Sequence, residues 1–368
     1  MKERTYKIVM LGYVIIPLVA VVTAIALLWN KYIFATDLYL LLFFYSFSIL
    51  GIGIGYHRLL THDGFKTFAP IRAFFILCGC MTLEGKPLAW TATHVKHHAH
   101  SDHEDDPHSP LEGFWHGHVG WVFSQENFED PKVYCPHLLE DKVTMFAERT
   151  YFLWPVLSFV ACYAIGGWTG VLWGGLVRVF LTTHVTWSVN SICHTFGPRG
   201  FETTDESRNN WIIGLLAFGE GWHNNHHAFP RSAFHGMRWY QFDLSGLIIR
   251  FMEKVGLVWE VQRIGQETQE AHRLRGLTMH ENIAELKEEL GTFIDQARQE
   301  MDQMMLKLPP QKVAAVRYTH ETTMKRFVEI QLGMQKHRNM KRRAIEKRYQ
   351  EVAELLEIAK QRMTMVAA

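Results

Sequence analysis

The sequence predicts an all-α integral membrane protein. It has four transmembrane helices in two hairpins, a cytoplasmic helical cap rich in histidine, and a C-terminal helical hairpin or coiled coil. Three observations predict it. Long uncharged runs recur in the first 190 residues, histidines crowd the segments directly after those runs, and the composition turns charged and Gly/Pro-poor near Gly265. The boundaries expected are 1–265 for the membrane domain and 266–368 for the charged helical extension.

The elements follow in chain order. Ile8 to Asn30 is free of formal charge across 23 residues, and a spanning helix needs about 20 apolar residues. No small-residue cleavage site follows, so the run reads as an anchor and not a signal peptide. Leu38 to Tyr56 is a second uncharged run, ending directly before His57. Ala73 to Leu83 is too short to cross and reads as a re-entrant or interfacial helix. Thr150 to Val177 is again uncharged and continues past Arg178 to Asn190, with Gly166-Gly167 as the turn between two spans. Arg178 is costly there and is expected to face the protein interior or an interface.

Four spans put residues 57–149, everything after 190 and the N-terminus on one side. Lys2, Arg4 and Lys7 flank the first span on that side, whereas the opposite loop offers only Lys31. The positive-inside rule makes the histidine-rich side and both termini cytoplasmic.

Beyond Gly265, Ile283, Leu286, Leu290, Phe293, Ala297 and Met301 recur at helical steps. After Leu308-Pro309-Pro310 a second pattern includes Ile345, Tyr349, Val352 and Leu356. This region is expected to serve packing or self-association.

Composition narrows the function. The chain is 48% hydrophobic, which excludes disorder. With 38 basic against 37 acidic residues, nothing favours a nucleic-acid partner. Five cysteines without a CxxC pair exclude a zinc ribbon and a secreted disulfide scaffold. The outlier is histidine: of 21, ten lie between His57 and His118 and seventeen precede Gly236.

Three histidine clusters stand out. They are His57 and His62; His94, His97 and His98; and His223, His226 and His227. The last two have HxxHH spacing, so on a helix each set shares one face and is expected to point at one locus. The first has a spacing of five, off-face on a regular helix, which works if the helix ends there. Neutral imidazole is the commonest protein ligand for transition metals. Eight histidines nearly meet the eight to ten donors, roughly, that a pair of metals with open positions needs. Other histidines, among them His108, His118, His184 and His235, read as surface or supporting residues. Asp105 and Asp106 are candidates to accept the second N–H of ligand imidazoles. Soluble di-iron oxygenases use two Glu-x-x-His motifs on a four-helix bundle, whereas this chain has a single one, Glu220-x-x-His223.

HxxxxH, HxxHH and HxxHH after paired spans resembles the integral-membrane fatty acyl desaturases. More narrowly it resembles the stearoyl-CoA (delta-9) group in its bacterial or cyanobacterial branch. Further likeness lies in Gly55-Tyr56-His57-Arg58, Asp106-Pro107-His108, Gly113-Phe114-Trp115, Thr186-Trp187-Ser188-Val189-Asn190-Ser191 and Gly219-Glu220-Gly221-Trp222-His223-Asn224. It covers about residues 40–262.

The resemblance implies two irons held by nine histidines: His57, His62, His94, His97, His98, His194, His223, His226 and His227. Asn190 matches the family asparagine that reaches one metal through water. It implies O2 as co-substrate, a long-chain saturated acyl substrate, and electrons from a ferredoxin or cytochrome b5-type donor with its reductase. No HPGG haem signature is present, so no fused cytochrome b5 domain is expected. A saturated methylene has no acidic proton for acid–base chemistry to remove, so the histidines are ligands and not bases. Trp90, Trp187 and Trp222 are candidates to line the acyl channel. Where vertebrate acyl-CoA enzymes carry an Arg-Asp pair, this chain has Ala92 and Thr93, leaving CoA, glycerolipid and carrier protein open as acyl carriers. The competing readings are a membrane hydroxylase, which shares the oxidant, and a histidine-rich metal transporter, whose ionisable residues belong inside the spans. A zinc hydrolase needs fewer histidines.

Overall fold

The structure is a computed structural model that describes residues 3–29, 33–103, 105–124, 129–336 and 342–367. Lys2 and Lys31, and the side chain of Ile283, lie outside the described set. Among the described residues the chain is mostly helical. The one small sheet pairs Lys66–Thr67 antiparallel with Val258–Trp259. The chain divides into two compact units, Met1–His272 and Arg273–Ala368.

Among the described residues of the first unit, three helices are long and apolar enough to cross a membrane. They are α1 (Glu3–Leu28, mean hydropathy 2.7), α2 (Ala35–Thr61, 2.0) and a 39-residue segment, α3 (Leu153–Ser191, 1.5). The outer face of α1 is a row of exposed aliphatics, including Ile8, Ile15, Val22 and Ile25. Side chains of this kind suit hydrocarbon and not water.

A straight helix of 39 residues would be roughly 58 Å long, about twice the hydrocarbon thickness. The segment does not run straight. Gly167 has φ 60° and ψ −147°, a conformation essentially reserved for glycine. The chain folds back there. A Cβ on Gly174 would stand 2.8 Å from Cys162 Sγ, and one on Gly175 would stand 2.7 Å from Phe159 Cε1. Glycine at both positions lets the two halves pack closely.

Arg178 lies in the second half and is fully buried. Its guanidinium donates to the Gly174 and Met81 carbonyls at 3.1 and 2.6 Å, and to the hydroxyls of Ser48 and Ser158 at 3.1 Å each. The charge faces the interior, as its cost in lipid requires.

The second half of α2, Gly51–Thr61, is wound as a π-helix. Its bonds run i→i+5, which brings residues five apart nearly above one another. The His62 N–H donates to the His57 carbonyl at 3.2 Å, and the Thr61 hydroxyl to that of Tyr56 at 2.8 Å. This corrects the sequence expectation for the first cluster. The spacing of five works because the helix widens, not merely because it ends.

The short apolar run forms a helix, Ala69–Cys80, that packs against this widened turn. Its Gly79 backbone approaches Tyr56 so closely that an added Cβ would stand 2.6 Å from the ring. Helix α4 (Pro87–His100) then carries the second cluster, and α5 (His223–Ala228) the third.

The second unit corrects another expectation. In place of a two-helix hairpin, three helices, Gln266–Lys307, Pro310–Lys336 and Arg342–Ala367, supply one apolar core. Leu290, Ile294, Met301, Phe327, Val352 and Met363 are at or near zero exposure within it. The pattern that starts at Ile345 belongs to a third helix, separated from the second by residues outside the described set.

Candidate metal centre

Nine histidines converge from four elements of the first unit. His57 sits on the π turn of α2 and His62 caps it. His94, His97 and His98 come from α4, His194 from the turn directly after α3, and the last three from α5. All are buried or nearly so.

They form two groups. His57, His62, His94, His98 and His226 bring their ligand nitrogens within 4.8 Å of one another, and so do His97, His194, His223 and His227. Each HxxHH set is therefore divided, which corrects the one-locus expectation. His94 and His98, four apart, join the first group while His97 turns to the second. His223 and His227 join the second group while His226 turns to the first. One helix face at i and i+4 fills one group, and the i+3 residue, rotated from it, reaches the other.

Carboxylates fix four of the rings. The Nδ1 of His97 lies 2.9 Å from Asp106, that of His194 2.8 Å from Asp102, and that of His227 2.6 Å from Asp205. His57 Nδ1 meets Glu220, which also pairs with Arg58 at 3.0 Å. A proton held on Nδ1 leaves Nε2 as a bare lone pair aimed inward.

Asp106 meets its expectation, whereas Asp105 is exposed and stands 3.9 Å from His100. Asp102, Asp205 and Glu220 were not anticipated. They are remote in sequence from their rings, and no local pattern signals them. Asp102 occupies the left-handed region at φ 60°, which Asp tolerates better than most residues. It also accepts from the Glu206 backbone N–H at 2.8 Å.

The inward nitrogens fit a cation. His226 Nε2 lies 3.0 Å from His57 Nε2 and 2.9 Å from His98 Nε2. His223 Nε2 lies 3.0 Å from His194 Nε2. A single hydrogen on His226 Nε2 cannot serve both of the nitrogens it faces. The Nε2 atoms of His62, His97 and His227 are buried with no hydrogen-bond partner. Lone pairs gathered in this way, with Nδ1 held by carboxylates, are the donor set of a metal site.

Electrostatics keep most of these rings neutral. Burial and the neighbouring imidazoles push His94, His98, His223 and His226 well below the usual histidine range. His62 falls to about 3 by the same causes. His227 falls to about 4, burial outweighing Asp205. Burial also opposes charge on His97, yet Asp106 holds that ring above the usual value. Neutral imidazole is the ligating form.

Asn224 and Asn225, inside the third cluster, do not turn toward these groups. Asn224 Oδ1 accepts from the backbone N–H groups of Gly200 and Phe201 at 2.7 and 2.8 Å. Asn225 donates to the His235 carbonyl at 2.8 Å. They clamp α5 to its flanking loops.

A cavity with about 760 Å³ of empty space, open solvent included, adjoins the histidines. Trp90, Trp187 and Asn190 line it, together with His57, His94 and His223. Trp90 stacks on His94 with ring centroids 4.9 Å apart. Trp222 lies elsewhere. Its indole donates to the Phe242 carbonyl at 2.8 Å and its ring covers Gly214. Thr93, at one of the two positions of the missing Arg-Asp pair, faces the cavity, and Ala92 is buried beside it. Of the remaining histidines, His108 and His235 are buried beside the two groups. His118 and His184 pair with each other at 3.0 Å.

The fatty acid desaturase family profile matches residues 37–250. The hex-5-enoyl-(acyl-carrier protein) acetylenase of Moorena producens is 38% identical over 283 residues, 71% of this chain and 88% of that protein. The sn-1 stearoyl-lipid 9-desaturase of Anabaena variabilis is 39% identical over 224 residues, 60% of this chain and 82% of that protein. The chloroplastic palmitoyl-monogalactosyldiacylglycerol delta-7 desaturase of Arabidopsis thaliana is 42% identical over 220 residues, 58% and 59% respectively. With the profile spanning more than half of its length, this chain belongs to the fatty acid desaturase family.

Proposed function

We propose that the protein is an oxygen-dependent acyl desaturase that introduces a cis double bond, at delta-9, into a saturated chain carried on CoA or a glycerolipid. The observation that carries this reading is the pair of histidine groups beside a cavity walled by Trp90 and Trp187. Two irons would be held by these groups. His57, His62, His94, His98 and His226 would hold one and His97, His194, His223 and His227 the other, and Asn190 would reach one of them through water.

Bound there, the metals supply the oxidising power that an unactivated C–H bond needs, drawing on O2 and two external electrons. The chain's own residues do the rest. Asp102, Asp106, Asp205 and Glu220 hold the rings in one tautomer and orientation. The cavity wall positions the acyl chain and keeps water away from the reacting carbons, and its depth selects which carbons react. Two vicinal hydrogens leave the substrate. With O2, two electrons and two further protons the balance is one alkene and two waters. The electrons come from a ferredoxin or a cytochrome b5-type protein.

We read α1, α2 and the two halves of α3 as four crossings, with Gly167 between the last two. Both histidine-bearing segments then share the cytoplasmic side with the termini. The delta-9 position is favoured by the Anabaena relative's name. Ala92 and Thr93 favour lipid over CoA, while the Moorena relative's name adds a carrier protein as a third acyl donor.

The test is fatty-acid profiling of cells expressing the wild type and His97→Ala, with double bonds located by mass spectrometry of derivatised chains. A new delta-9 monoene only in the wild type is expected. A hydroxylated chain would replace this reading with a hydroxylase, and histidine-dependent metal uptake without any lipid product would replace it with a transporter.

A further inference from the structure

The two histidine groups differ in what stands behind their rings. Three of the four rings in the second group rest on aspartates: His97 on Asp106, His194 on Asp102 and His227 on Asp205. The side chains of these aspartates are at most 6% exposed. Their other hydrogen bonds come from neutral donors. Asp102 accepts from the Ser109 hydroxyl and the Glu206 N–H at 2.8 Å each. Asp106 accepts from two backbone N–H groups, and Asp205 from the Thr203 hydroxyl at 2.8 Å and the Ser207 N–H at 3.0 Å. Arg199 and Arg208 engage Glu206 instead, at 3.7 and 3.4 Å. Among the described residues, no lysine or arginine pairs with any of the three aspartates.

The first group has one such carboxylate for its five rings among the described residues. Glu220 meets Nδ1 of His57 and pairs with Arg58 at 3.0 Å. The same guanidinium, fully buried, also pairs with Asp243 at 3.0 Å. Asp243 accepts in addition from the backbone N–H groups of His235 and Gly246 at 2.8 Å each. Three unpaired negative charges thus stand one imidazole behind the second group, against one charge, offset by an arginine, behind the first. Imidazole ligands are neutral, so five rings against four adds no charge. Buried charges are screened far less than exposed ones. Negative charge favours the higher oxidation state of a metal. A carboxylate behind a ligating imidazole also raises its basicity, which acts in the same direction.

Resting on the reading of two irons in these groups, we infer that the groups are unequal in redox preference. Asp102, Asp106 and Asp205 make the second group, His97, His194, His223 and His227, the one that favours ferric iron. Arg58, by offsetting Glu220, makes the first group the one that favours ferrous iron. The first electron from an external donor then converts ferric to ferrous iron in the first group, and the second electron does so in the second group. These residues act through the ligand rings and the field around them, so they are positioning residues and not catalytic ones.

The experiment is a reductive titration of the full-length, detergent-purified protein loaded with isotopically enriched iron. Dithionite supplies the electrons through mediator dyes, and Mössbauer spectra count ferric and ferrous iron at each potential. In wild type the two irons should differ in their reduction equilibrium by at least about tenfold, which is about 59 mV for one electron. Asp102→Asn removes one charge and keeps the contacts. Its amide oxygen can accept from His194 and the Glu206 N–H, and its NH2 can donate to the Ser109 hydroxyl. This variant should keep both irons, raise the lower potential and leave the upper one in place. The exposed Asp105→Asn should move neither. One-iron proteins assign the sites. Iron in His226→Ala, which keeps the second group, should be harder to reduce than iron in His223→Ala, which keeps the first. That comparison decides the matter if Asp102→Asn loses iron. A single potential for both irons in wild type overturns the inference. So does an Asp102→Asn variant that moves the upper potential, both alike or neither, and so does a first-group iron that is the harder to reduce. All of these leave the desaturase reading standing. A wild-type protein that binds no iron overturns both.

Discussion

The Nδ1 of His97 stands 2.9 Å from the Asp106 carboxylate, and the opposite nitrogen of the same ring is buried with no partner. Asp106 is itself fully committed. It accepts from the backbone N–H groups of Asp102 and His108 at 2.8 and 3.1 Å. The carboxylate thus ties the ring to the loop that follows α4 and dictates which nitrogen is free to ligate. Replacing Asp106 by Ala should lower iron affinity by 10–100-fold, the usual cost of losing such a partner. Iron content after graded chelation, read beside the exposed Asp105→Ala, checks this. Equal retention in the two variants would remove Asp106 from the ligand scaffold.

The division of the two HxxHH sets gives a sharper expectation. His226→Ala should empty the first group and His223→Ala the second, each lowering bound iron from two equivalents toward one. Both should abolish desaturation, because both groups are needed beside one cavity. The control is His116→Ala, a partly exposed ring 3.5 Å from Glu112. Metal analysis of the detergent-purified proteins separates the outcomes. Loss of both irons in either variant would indicate one cooperative cluster in place of two groups.

How far the sequence reaches can be judged residue by residue. The uncharged runs, the turn at Gly166-Gly167 and the inward placement of Arg178 were legible, because each follows from the cost of charge and of unpaired backbone in hydrocarbon. The eight clustered histidines were legible from spacing. His194 was not, since it stands 29 residues before His223, the ring it faces, and only the family resemblance points to it. Glu220 is 163 residues from His57 and Asp205 is 22 from His227, so no periodicity could join them. The split of each HxxHH set depends on how α4 and α5 are rotated against one another, which is a tertiary fact. The widened turn of α2 was hidden for a different reason. Its residues have the composition of an ordinary apolar helix, and the i→i+5 winding becomes visible only through bonds such as that from His62 to His57.

Gly167 offers a test confined to the backbone. An added Cβ would meet nothing within 4 Å, so a substitution there is disfavoured only by its dihedral angles. Gly167→Ala should destabilise the protein by about 1–3 kcal/mol, the cost of holding a non-glycine residue in a sparsely populated region. Thermal unfolding in detergent reads the shift. An unchanged midpoint would mean that the connection between the two halves of α3 adopts another conformation.

Arg178 links three parts of the membrane core: Ser48 on α2, the Met81 carbonyl after Ala69–Cys80, and Ser158 on the first half of α3. Its donors therefore serve as a bracket between helices that have little hydrophobic drive to associate in lipid, where packing and interhelical hydrogen bonds hold them together. Arg178→Met removes the charge and the bracket together. Four acceptors lose their donor in a buried site, and each unsatisfied group costs about 1–3 kcal/mol. The cost of burying a charge is recovered at the same time, so the net loss should be about 2–4 kcal/mol and not the sum. Arg178→Lys keeps the charge but not the fork that reaches several acceptors at once, and it should be the less stable of the two. Chemical denaturation in mixed micelles, with both variants measured beside the wild type, checks the order. A lysine variant as stable as wild type would show that the charge, and not the geometry of its four hydrogen bonds, is what this position needs.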